Sequence, residues 1–112
     1  MENIEYPTIT FACEFDERTE FEVEEKGYFE HAFVTMQDGA RYRLHFYDPV
    51  RLGYELKTEI KQGGACLAEP GMVVIPKVTR QFMTTAVKQL AREGYFAGLT
   101  PEQAEESVPQ PR

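Results

Sequence analysis

His31 and His45 flank the tripeptide Gln37-Asp38-Gly39, in a segment from Phe29 to Tyr47 that also carries Arg41 and Arg43. Imidazole can ligate a metal or move a proton near neutral pH, and beside arginine it can help hold an anion. Which of these applies depends on whether the two rings meet. That is decided by the register of the turn between them.

Asp-Gly between two strand-like runs marks a hairpin, because both residues tolerate positive φ. A two-residue loop would pair Gln37 with Ala40, set His31 opposite Phe46 and send the histidines to opposite faces. A three-residue loop, with Gly39 left-handed, pairs Met36 with Ala40 and sets His31 opposite His45. A slip of one residue flips a whole strand, so the sorting of side chains discriminates between the two. The three-residue register gathers Ala32, Val34, Met36, Tyr42, Leu44 and Phe46 on one apolar face. The other face receives Phe29, His31, Phe33 and Thr35 beside Arg41, Arg43, His45 and Tyr47. The candidate ligand- or partner-binding set is therefore His31, Phe33, Arg41, Arg43, His45 and Tyr47. Two imidazoles make an incomplete metal site, since closed sites use about four ligands. Glu30, a nearby carboxylate, is expected on the apolar face, so neither metal nor cofactor is expected.

The elements that hold this hairpin follow from periodicity and punctuation. Thr8 to Phe15 alternates, with Ile9, Phe11, Cys13 and Phe15 inward, and reads as a half-buried strand with Cys13 in the core. Asp16-Glu17-Arg18 reads as a turn, and Glu20-Phe21-Glu22-Val23-Glu24 alternates again as a second strand with a glutamate row facing water. Lys26-Gly27 breaks before the hairpin. Asp48 then caps a helix with Pro49 at its first position. Leu52, Leu56 and Ile60 form its stripe, and Gly63-Gly64 stops it. Gly53 inside that helix suggests close packing. Met72 to Ile75 is a short apolar strand. Thr79 caps a second helix carrying Met83, Ala86, Val87, Leu90 and Ala91, with Gly94 as its left-handed stop.

The order ββββαβα predicts an α+β domain over residues 1–98. Its expected form is one mainly antiparallel sheet of about five strands with both helices on one face, the last strand running parallel to the fourth. Residues 99–112 contain three prolines and net negative charge, and are expected to form a disordered tail.

Composition narrows function more by exclusion. The 112 residues carry a net charge of −7, concentrated at the start: over 1–30, ten acidic side chains oppose only Arg18 and Lys26. Nucleic-acid binding needs a continuous cationic footprint and is not expected. Apolar runs are too short for a membrane span, and the N-terminus lacks the pattern of a signal peptide, so a cytoplasmic location with reduced Cys13 and Cys66 is expected. Ser107, the only serine, falls in the expected tail, and no phosphate-cradling glycine loop, zinc motif or nucleophile elbow occurs. The expectation is a small acidic, non-catalytic protein-binding module, neutralising or adaptor-like, with the open hairpin face or an acidic edge of Glu20, Glu22 and Glu24 as its contact. The alternatives are a small anionic-ligand binder or enzyme using His31, His45, Arg41 and Arg43, and a homodimer closed through the sheet.

Overall fold

A computed structural model describes residues 6–102. The chain is α+β with a single four-stranded sheet in the order β1 (Thr8–Phe11), β2 (Tyr28–Thr35), β3 (Arg41–Tyr47), β4 (Met72–Val74). Helix α1 (Glu17–Lys26) joins β1 to β2, α2 (Pro49–Lys61) joins β3 to β4, and α3 (Arg80–Arg92) follows β4, ending in a 3-10 turn, Tyr95–Gly98. β1, β2 and β3 are antiparallel neighbours, and β4 runs parallel to β3 as expected. The sheet is thus mixed and has four strands instead of about five.

The missing strand is α1. The segment with Glu20, Glu22 and Glu24 is helical because its ends are capped as helix ends. The Asp16 carboxylate accepts the Thr19 N–H at 2.9 Å, Glu17 and Glu20 occupy the positive first turn, and Gly27 closes the last turn at φ 73°. Glutamate is a good helix former, so its alternation with Phe21 and Val23 imitates a strand without making one. Only Val23 of this helix is buried. β1 is correspondingly shorter than expected, and Cys13 lies exposed just beyond it instead of entering the core. Phe15 still turns inward and stacks on Phe11, ring centroids 4.5 Å apart.

The hairpin turns on three residues. Met36 N–H donates to Ala40 C=O at 2.8 Å, Gly39 takes φ 93°, and the Asp38 carboxylate accepts the Ala40 N–H. Val34 then faces Tyr42 and Ala32 faces Leu44, but two residues, Glu30 and His31, stand against the single His45 before pairing resumes at Phe29 and Phe46. This is a β-bulge, and it shifts the phase of everything before it. Phe29, expected on the polar face, is buried in the core, while Glu30 leaves the apolar face for the other one.

The core lies between the sheet and the α1–α3 side. Phe29, Ala32, Val34, Tyr42, Leu44 and Phe46 meet Val23, Ile75, Val78, Met83, Val87 and Phe96 there. Each such large side chain, fully buried, contributes about 1.5–3 kcal/mol. α2 does not join them. It contains no buried residue, and its Arg51 lies over the Tyr28 ring on the opposite face of the sheet. The expectation that both helices cover one face is therefore corrected: α3 covers it, with α1 in place of α2. Gly53, expected to mark close packing, has open space where a side chain would project. At the C-terminal end, Leu99 packs against the core and Glu102 N–H donates to Arg41 C=O at 2.6 Å; residues 103–112 of the expected tail lie outside the described residues.

Candidate functional site

Alternation along β2 and β3 puts Phe33, Arg41, Arg43, His45 and Tyr47 on the face opposite the core, as the turn register requires. The Arg41 guanidinium stacks 4.1 Å from the centre of the Phe33 ring, a diagonal cross-strand pair. Arg43 Nε donates to the Glu30 carbonyl at 3.2 Å, which ties down the bulge. His45 Nδ1 lies 4.0 Å from a Glu69 carboxylate oxygen. Tyr47 is almost wholly buried.

His31 sits apart from this row. It is exposed in the bulge, its ring edge-on to Phe29 at 5.8 Å, and it borders a cavity of about 220 Å³ shared with Cys13 and α1 residues. His45 instead borders a cavity of about 460 Å³ with Arg43, Pro70, Leu99, Thr100 and Glu102. The histidines thus open onto different spaces. Among the described residues, no group of three or more His, Cys, Asp or Glu is placed to hold a metal ion.

The bulge assembles a polar cluster that side-chain counting along the strands overlooks. With Glu30 on this face, the Tyr28 hydroxyl donates to its carboxylate at 2.6 Å, and the Tyr28 and Tyr47 rings lie 5.0 Å apart. Arg51, from the first turn of α2, pairs with Glu55 at 2.7 Å and lies 5.4 and 5.5 Å from the rings of Tyr28 and Tyr54. One signal for the bulge does exist in the sequence: Phe29 is out of phase with the apolar Ala32, Val34 and Met36.

The electrostatics of this cluster oppose proton transfer. Burial, reinforced by donation to Glu30, pushes the Tyr28 phenol well above the ordinary tyrosine range. Burial, then the negative charges of Glu69 and Glu55, raises Tyr47 as well. The hydrogen bond from Tyr28 holds Glu30 below the ordinary carboxylate range. General acids and bases work best with pKa values near the operating pH, and these shifts lead away from neutrality. The Arg51 guanidinium over the Tyr28 ring links this cluster to the first turn of α2.

The acidic trio is dispersed around α1 instead of lining a strand edge. A Glu20 carboxylate oxygen accepts the Arg80 N–H at 2.7 Å, Glu22 pairs with Arg18 at 3.3 Å, and Glu24 lies 3.9 Å from Lys77. Two of the three thus link α1 to the start of α3. A cleft of about 640 Å³ lies between Tyr6–Ile9 and the Lys88–Arg92 turn of α3. No helix among the described residues is long and apolar enough to cross a membrane. No protein-family model, curated protein or solved structure matches the chain.

Proposed function

We propose that the chain is a non-catalytic protein-binding domain, and that α2 is the element its partner reads. The observation carrying this is the exposure of the helix: Val50 is 82%, Tyr54 61%, Ile60 55% and Leu56 37% exposed. Leu52, Leu56 and Ile60 recur every four residues and so share one flank. Meanwhile Arg51 and Glu55 hold the body-facing side of the first turns. A helix that anchors itself by polar contacts and leaves Leu56 and Ile60 outside is built to enter an apolar groove on another protein. The mixed charges of Lys57, Glu59 and Lys61 suit a groove rimmed by both signs. The Phe33–Arg41 pair lies on the same side of the sheet and offers a second contact for that partner.

The small-anion reading has less support. Glu69 and Glu102 stand beside His45 and Arg43 and oppose an anion there.

The test is affinity capture at physiological salt with three baits: the native chain, Leu56→Glu/Ile60→Glu, and Glu22→Lys. The expected result is a protein retained by the native chain and by Glu22→Lys but lost with the double variant. Equal recovery by all three baits, or recovery of nothing specific by any, overturns the reading. Circular dichroism of the double variant checks that it is folded.

A further inference from the structure

Among the described residues, β4 is the terminal strand of the sheet and is bonded on one side only. Toward β3, Gly71 C=O accepts the His45 N–H at 2.8 Å and Ile75 N–H donates to Tyr47 C=O at 2.9 Å. Backbone groups of a strand alternate in direction, so Gly71, Val73 and Ile75 face β3. The N–H and C=O of Val74, and the C=O of Met72, face outward.

Beside that edge, β4 and α3 enclose a groove of about 290 Å³, lined by Val74, Ile75, Phe82, Ala86, Gln89 and Leu90 among others. None of the residues lining it is charged, in a chain of which 28% is charged. Phe82, its lip on α3, is 40% exposed, while the Val74 side chain, 47% exposed, lies on the Tyr47 face of the sheet. Edge strands are ordinarily blunted by being very short, by lysine, by proline or by a covering element. Met72-Val73-Val74 is short but carries no lysine or proline; Pro76 lies just past its end.

We propose that this edge and groove receive an extended segment of a partner protein, added as a fifth strand outside β4, with uncharged apolar side chains at alternate positions. The free main-chain groups of Val74 would fix its register, and the groove would take the side chains that point toward α3. The absence of charge selects the occupant: a carboxylate or ammonium placed between Phe82 and Leu90 would lose its hydration with no counter-charge to replace it. With only three residues in β4, few main-chain bonds are available, so most of the affinity comes from the Phe82 side. This surface is independent of α2 and stands or falls separately from the reading above.

The test is an NMR titration of the full chain with the blocked peptide Ac-Leu-Thr-Val-Thr-Val-NH2, and with a control bearing glutamate in place of leucine and valine. The expected result is saturable shifts at the Val74 amide and the Phe82 and Leu90 side chains with the first peptide only. Phe82→Ala should weaken binding about tenfold, the worth of one buried anchor. Val74→Pro removes only an outward N–H, leaves the ladder intact and should also weaken it. Leu56→Glu/Ile60→Glu should bind the peptide as the native chain does. Shifts confined to α2, equal binding of both peptides, no shift at millimolar peptide, or native-like affinity in Phe82→Ala and Val74→Pro would each overturn the proposal. So would self-association through β4 in sedimentation without peptide, which would make a second copy the occupant.

Discussion

α2 and α3 are alike as sequences and opposite as structures. Each has 13 residues, a side-chain cap at its N-terminus and a basic residue in its last turn. α3 buries Met83 and Val87 completely, while α2 buries nothing. The difference lies in what each helix meets. α3 lies on the Leu44–Phe46 face, where its apolar row is covered; α2 lies on the Tyr28–Tyr47 face, which offers hydroxyls and carboxylates and engages Arg51. An apolar stripe therefore marks a helix but not its destination. The opposing sheet face decides whether the stripe becomes core or surface.

The contrast can be broken by substitution, and the largest effect belongs to the α3 side. Met83→Ala should lose about 2–5 kcal/mol in urea unfolding, since it opens a cavity among fully buried neighbours. Next comes Gly27→Ala, expected to lose about 1–2 kcal/mol. The residue has φ 73°, and a Cβ there would fall 2.5 Å from the Asp48 carboxylate that caps α2. Gly53→Ala should have the opposite sign, a gain of about 0.5–1 kcal/mol in the helicity of α2, because open space surrounds it.

Titration sharpens the same comparison. Tyr28→Phe should cost less than about 1 kcal/mol at neutral pH, since Glu30 is open to water. Because the Glu30 pKa is lowered from 4.5, its contribution is present above that pH and fades as pH falls through the depressed folded value. Tyr28→Phe should remove that acid dependence. The raised pKa values of Tyr28 and Tyr47 act in the other direction: their contribution is intact below pH 10 and is lost as pH rises beyond it. Phenolate absorbance should therefore appear late in the native chain and together with unfolding. The smallest effect is expected from Ile60→Ala, within about 0.5 kcal/mol in urea unfolding.

Much of this architecture is legible in the sequence. The turn at Asp38-Gly39, the Asp48-Pro49 and Thr79 helix starts, and the parallel β4 after a crossover are local or nearly local decisions, and local residues carry them. α1 was legible too, but from its caps and not its alternation: Asp16 three residues before Thr19, and Gly27 after Lys26, outweigh the Glu-Phe-Glu-Val pattern. The bulge at Glu30–His31 was only hinted at by the phase of Phe29. It decides the candidate site, because it brings Glu30 to Tyr28, and His31 within it borders a different cavity from His45. The exposure of α2 was not legible, since nothing within Leu52, Leu56 and Ile60 tells which face of the sheet the crossover will cover.

Native-state hydrogen exchange tests most directly the claim that α3 belongs to the cooperative core while the apolar flank of α2 is left for a partner. Amides of Met83–Leu90 should exchange only by global unfolding, and those of Glu55–Ile60 at least about tenfold faster, through local opening. Equal protection of the two helices, both at the global limit, would contradict the account.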